Sequence, residues 1–129
     1  MILIDTHVWI WQNLDPDRLS RAARQRLESA PRIGLSSISV YETMVAAEKG
    51  RLDSLSTPET LVRRWLASGL VTRIPVGDEI AIRSRTLPFL HGDPFDRIIA
   101  TTALQENAAL MTADRNLLSL DWLPTIRAQ

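Results

Sequence analysis

The sequence predicts an α/β domain, a central parallel β-sheet flanked by helices, with residues 1–129 read as one unit. Three observations carry that prediction. Short apolar runs rich in β-branched residues alternate along the chain with longer segments of helical periodicity, the pattern of strands joined through helices. No internal repeat, low-complexity stretch or Pro/Gly/Ser linker divides the chain. With 45% hydrophobic and 23% charged residues, 129 residues are enough to bury a core.

Taken in order, the strands are expected at Ile2–Ile4, Ile33–Leu35, Val71–Val76 and Ala109–Thr112, with a last one near Thr125–Ala128. Helical patterns occupy Thr6–Gln12, Arg18–Ala30, Ser37–Lys49 (stopped by Gly50), Pro58–Ser68 (stopped by Gly69), Asp78–Thr86 and Pro94–Asn107. Strands connected by helices of this length run parallel through right-handed crossovers, so the loops after the strands gather at one edge of the sheet. Open α/β sheets carry their sites at that edge.

Composition narrows the chemistry. There is no cysteine, which excludes disulfides, thiolate metal sites and cysteine nucleophiles and leaves oxygen or imidazole as metal ligands. Met1–Asp5 carries no basic leader and no apolar run approaches the length of a membrane span, so a cytoplasmic protein without membrane contact is expected. Fifteen basic and 15 acidic residues balance, so a polyanionic substrate requires local sorting of charge. All the basic residues except Lys49 are arginine, which suits bidentate phosphate contacts and equally reflects base composition.

Four acids fall where that edge should be. Asp5 ends the first strand and Asp114 follows the fourth; each also suits a helix N-cap. Glu42 lies within the Ser37–Lys49 helix, sharing a helical face with Ile38, Tyr41 and Val45, and forms a possible capping box with Ser39. In HGDPFDRIIATTALQEN, Asp93 is a natural N-cap before Pro94, while Asp96 in the first turn shares a face with the small Ala100 and Ala103. Clustered carboxylates repel, and a cation between them lets them stay ionised. Oxygen-only ligation points to Mg2+ or Mn2+, which would neutralise phosphate charge and activate water against a phosphodiester.

These residues carry a resemblance that spans the chain. DTHVWIW (5–11), SSISVYETMVAAEKGRL (36–52), HGDPFDRIIATTAL (91–104) and LMTADRNL (110–117) resemble the motifs of the PIN-domain family, specifically of VapC-type ribonuclease toxins of prokaryotic toxin–antitoxin pairs. The resemblance implies a metal-dependent endoribonuclease with Asp5, Glu42, Asp96 and Asp114 as metal-binding, catalytic acids. It also implies a PIN-like fold, single-stranded or looped RNA as substrate, homodimerisation and inhibition by a cognate antitoxin. Thr6 and Thr112 match positions where a hydroxyl supports the acids, and Asp93 is a further supporting candidate; Asp96 is preferred over Asp93 because Ile99 and Ala100 follow it at the family spacing.

Other residues have competing uses. His7 and His91 adjoin the acids as possible shuttles or ligands. Trp9, Trp11 and Trp65 suit core packing, base stacking or a groove for a partner helix. The arginines at 18, 21, 24 and 26, and Arg63 with Arg64, read as solvated faces or basic patches, and Arg97 as a phosphate contact or an ion-pair partner. A GxxxxGK loop is absent, which excludes P-loop hydrolysis, and Lys49 is misplaced for a receiver-type phosphoryl-transfer domain. Two alternatives stay open: an RNA-processing PIN nuclease outside any toxin system, and a non-catalytic α/β binding module in which every acid is a cap.

Overall fold

The computed structural model describes residues 1–52, 55–89 and 92–129. Among them are five strands: β1 (Ile2–Ile4), β2 (Ile33–Ser36), β3 (Thr72–Ile74), β4 (Ala109–Thr112) and β5 (Thr125–Arg127). All pair in parallel, in the order β3-β2-β1-β4-β5, so β1 is the central strand and the chain crosses over β1 to build the second half of the sheet. The helices are α1 (Thr6–Leu14), α2 (Arg21–Ser29), α3 (Ser37–Glu48), α4 (Pro58–Ala67), α5 (Asp78–Thr86), α6 (Pro94–Gln105) and α7 (Arg115–Leu118), with a 3-10 turn at Pro16–Arg18.

Period-two alternation in the central strands divides the core into two layers. Ile2, Ile4, Leu35 and Met111 face one side, where they meet Val8, Trp9 and Trp11 of α1, Ala23 and Leu27 of α2, and Leu61, Val62 and Trp65 of α4. Leu3 and Leu110 face the other, against Ile99, Ala100 and Ala103 of α6 and Leu117 of α7. The tryptophans therefore pack: Trp9 is buried edge-on against Trp65 at 5.5 Å between ring centroids, and Trp11 lies under the Arg18 guanidinium at 4.3 Å. Gly34 stands inside β2 because a Cβ there would meet the ends of Ile74, Leu3 and Met1 at 3.0 Å.

Several boundaries differ from the sequence reading. The expected Arg18–Ala30 helix is split, because Leu19 is extended and Ser20 caps α2 with its hydroxyl accepting from the Ala23 N–H at 3.0 Å. Arg18 therefore leaves the α2 face, and Arg24 pairs with Asp17 at 3.5 Å. The third strand is confined to Thr72–Ile74 before Pro75, which cannot donate to a ladder. The one-turn helix α7 is an addition to the expected helices, too short to show a period. Tyr41 is 58% exposed against Phe95 and so does not share an inward face with Glu42. The fully buried residues of α3 are Ser39 and Thr43, with Ile38, Val40 and Met44 packed partly buried against the core.

Trp9 fills the centre of the first layer. Trp9→Ala is expected to lower stability by about 3–5 kcal/mol, read as a reduced urea midpoint at unchanged slope.

Candidate active site

Parallel pairing brings the ends of β1, β2 and β4 to one edge, where a cavity of about 430 Å³ opens. Its wall includes Asp5, Glu42, Asp93, Asp96 and Asp114, so the structure brings together all four predicted acids and the supporting candidate. They arrive from different places: the end of β1, the first half of α3, the start of α6 and the turn after β4.

Asp5 is 3% exposed and fully engaged. Its Oδ1 accepts from the Thr6 N–H at 2.7 Å, which caps α1, and its Oδ2 accepts from Thr112 Oγ1 at 2.7 Å. The same Thr112 oxygen accepts from the Asp114 N–H at 3.0 Å, so one hydroxyl joins the two strand-end acids. Asp114 in turn caps α7 through Oδ1, accepting from the N–H groups of Asn116 and Leu117. Asp93 caps α6 in the same way, taking the Phe95 N–H at 2.9 Å and the Asp96 N–H at 3.4 Å. Cap and cavity positions are thus compatible in all three aspartates.

Glu42 is held differently. Its Oε1 accepts the Thr6 hydroxyl proton at 2.6 Å, and Thr6 Oγ1 also lies 2.9 Å from buried Ser39 Oγ. Thr6 has one proton, so the bond to Ser39 is completed by the serine's own. The capping box between Ser39 and Glu42 does not form; Ser36 caps α3 instead, accepting from the Ile38 N–H. Ala100 and Ala103 are wholly buried in the second layer, so their small side chains seat α6 on the sheet.

The electrostatics follow from burial and mutual repulsion. Burial raises the Asp5 carboxyl above its ordinary range, opposed by His7, Thr112 and Thr6 and reinforced by Asp114. Glu42 is raised by burial, against the Thr6 hydrogen bond, with Asp5 and Asp93 adding to the rise. Asp96 is pushed up to about 8, first by burial and then by Asp5, Asp93, Asp114 and Glu42. Five acids therefore share one field.

The chemistry of the donors suits a hard divalent cation: carboxylate oxygens, no thiolate, and a half-open cavity whose acids gain from added positive charge. Among the described residues no three acid or imidazole side chains stand as a ready-made ion shell. His7 is committed elsewhere, since its Nε2 accepts the Ala113 N–H at 2.9 Å and its Nδ1 lies 3.7 Å from Asp5 Oδ2. His91 lies outside the described residues. Arg97 turns to α5, donating to the Ser84 carbonyl at 3.3 Å and lying over the Phe89 ring.

A PIN-domain family model matches residues 2–123. The chain is a PIN domain. A curated relative, "Ribonuclease VapC22" of Mycobacterium tuberculosis, is 35% identical over 119 residues, 92% of this chain and 90% of the relative. Among solved structures, a toxin–antitoxin complex from Klebsiella pneumoniae is 26% identical with a TM-score of 0.69, over 98% of this chain and 97% of that one. VapBC2 from Rickettsia felis, bound to a promoter DNA fragment, shares the fold with a TM-score of 0.70 at 18% identity over the whole of both chains. Among the described residues of this PIN domain, no helix is long and apolar enough to cross a membrane.

The sequence reading did not assign six of the lining residues to the site: Ile10, Val45, Ala46, Lys49, Arg51 and Phe95. A signal for one of them was present, because Lys49 stands seven positions after Glu42, two turns on along the same face of α3.

The raised Asp96 carboxyl sets a pH dependence. Unfolded Asp96 ionises near 3.8, so between that value and about 8 the folded protein holds a proton that the unfolded chain has released. Stability without metal therefore falls as pH rises through this window. Asp96→Asn is expected to flatten that fall; thermal unfolding in EDTA across the range checks it, and identical slopes for both proteins would refute it.

Proposed function

We propose that this PIN domain is a metal-dependent endoribonuclease and the toxin of a toxin–antitoxin pair, hydrolysing phosphodiester bonds of single-stranded or looped RNA. The observation that carries the reading is the convergence of Asp5, Glu42, Asp96 and Asp114, from separate elements, on one cavity at the carboxyl edge of the sheet. Similarity to a protein named as a ribonuclease, and to a chain from a toxin–antitoxin complex, supports it.

In this reading the four acids hold Mg2+ or Mn2+, and Asp93 supports them. When bound, the ion supplies charge that neutralises the phosphate and lowers the pKa of water for attack on phosphorus. The chain's own part is positioning. Thr6 donates to Glu42 and fixes the carboxylate at 2.6 Å, while Thr112 ties Asp5 to the Asp114 turn. His7 also holds that turn, its Nε2 accepting the Ala113 N–H. Because Asp96 keeps its proton up to about 8, loading the ion and releasing that proton are linked. A cognate antitoxin and a second copy of the chain are the proposed protein partners.

Purified protein incubated with a mixed-sequence RNA containing single-stranded loops is expected to cleave it with Mg2+ or Mn2+ and to stop on addition of EDTA. Asp5→Asn should abolish cleavage and leave folding intact, since asparagine still accepts the Thr6 N–H and can donate to Thr112. Undiminished cleavage by Asp5→Asn and Asp114→Asn would overturn the assignment.

Asp93→Ala separates support from ligation. Losing the α6 cap should reduce stability by about 1 kcal/mol with only part of the activity lost; full stability with no activity would move Asp93 among the ligands. Denaturant unfolding and initial cleavage rates on the same preparation give both quantities.

A further inference from the structure

The cavity wall is not acidic throughout. Along α3 and its C-terminal cap the residues that line it are Glu42, Val45, Ala46 and Lys49, spaced i, i+3, i+4 and i+7, so they form one stripe running from a carboxylate through an apolar stretch to a cation. Ile10 and Phe95 add apolar surface, and Arg51 adds a second cation. At 1.5 Å per residue Lys49 lies about 10 Å along the helix from Glu42.

The helix end holds these cations in place. Gly50 takes a positive φ of 72°, its N–H donates to the Ala47 carbonyl and the Arg51 N–H donates to the Ala46 carbonyl, both at 3.0 Å. These two bonds form a Schellman motif, which fixes the backbone of Arg51 beside Lys49. Favourable interaction with the helix dipole explains cations at a C-terminus in general; it does not require both to line this cavity. Among the described residues neither Lys49 nor Arg51 forms an ion pair with a cavity carboxylate. Lys49 thus stands about 10 Å along the helix from Glu42, across the apolar strip of Val45 and Ala46, with Arg51 beside it on the cavity wall.

We propose that Lys49 and Arg51 form a phosphate subsite for the RNA strand. In it, a phosphate some two to three nucleotides from the scissile one is gripped, at the ~3.4 Å advance of a stacked strand, while Ile10, Val45, Ala46 and Phe95 receive the bases and sugars between. The subsite rests on the nuclease reading and deepens it: the acids set where the chain is cut, and the cation pair sets how far the bound strand extends.

Binding, measured apart from cleavage, tests this. A fluorescein-labelled 10-nucleotide single-stranded RNA of mixed sequence is titrated with the Asp5→Asn protein in Mg2+ by anisotropy, at several salt concentrations. Adding Lys49→Gln and Arg51→Gln is expected to weaken binding about tenfold and to flatten the dependence of log affinity on log salt by about 0.7 for each phosphate no longer neutralised. Lys49→Arg with Arg51→Lys should restore most of both, and Arg85→Gln, an exposed side chain of α5 that does not line the cavity, should change neither. In the otherwise wild-type enzyme the double glutamine variant should raise KM with kcat within about twofold. Unchanged affinity and salt slope in the glutamine variant, with wild-type cleavage intact, would overturn the subsite and leave the nuclease reading standing. Failure of the Asp5→Asn protein to bind any RNA would overturn the subsite as well, while absence of metal-dependent cleavage by the wild-type protein tests the nuclease reading separately.

Discussion

Parallel pairing of β1 with β4 at the middle of the sheet is the constraint on which the site depends. The two strands run the same way, with Ile2 opposite Ala109 and Ile4 opposite Met111, so their ends emerge together and Asp5 extends the ladder by donating its N–H to the Met111 carbonyl. Residues 5 and 114, far apart in the chain, then stand close enough to share the Thr112 hydroxyl. Because β2 flanks β1 on the other side and feeds directly into α3, Glu42 enters the same edge from the opposite direction. A register slip of one residue would turn Leu3 and Leu110 toward the wrong layer, so the packing that fixes the core also fixes the acids.

Charge accumulation at that edge has an energetic consequence. Burial and repulsion act in the same direction on Asp5, Glu42 and Asp96, and the hydrogen bonds from Thr6 and Thr112 offset only part of it. Such an edge is poorly suited to a purely structural role, in which capping aspartates alone would serve. Asp93 and Asp114 cap helices through one carboxyl oxygen while lining the cavity, which is how a short chain gives the same residue two functions.

Much of this was legible in the chain. Strand-forming runs, the stops at Gly50 and Gly69, and the central place of Ile2–Ile4 came from residue type and periodicity; Asp5, Asp96 and Asp114 drew notice at strand and helix ends, Glu42 within its helix, and the motif resemblance joined the four. What resisted reading had identifiable causes. The fully buried residues of α3 are Ser39 and Thr43, whose hydroxyls are satisfied by Thr6 and by the Ser39 carbonyl, so hydrophobic periodicity misplaces Tyr41 on the inward side. Ala100 and Ala103 suggest, by size alone, clearance beside an acid, whereas they allow α6 to approach the sheet.

The sequence by itself determined the element types and the fold class, because those depend on local spacing, capping chemistry and the apolar pattern, and its resemblance to the PIN-domain motifs singled out the candidate acids. Only the tertiary structure decided which side chains share a field and which support them. His7 proves to be tied to the β4 turn, Arg97 to α5, and Lys49 and Arg51 to the cavity wall. Each of those placements results from a contact between elements remote in sequence or from the way a helix ends, and neither is encoded in the periodicity of a single segment.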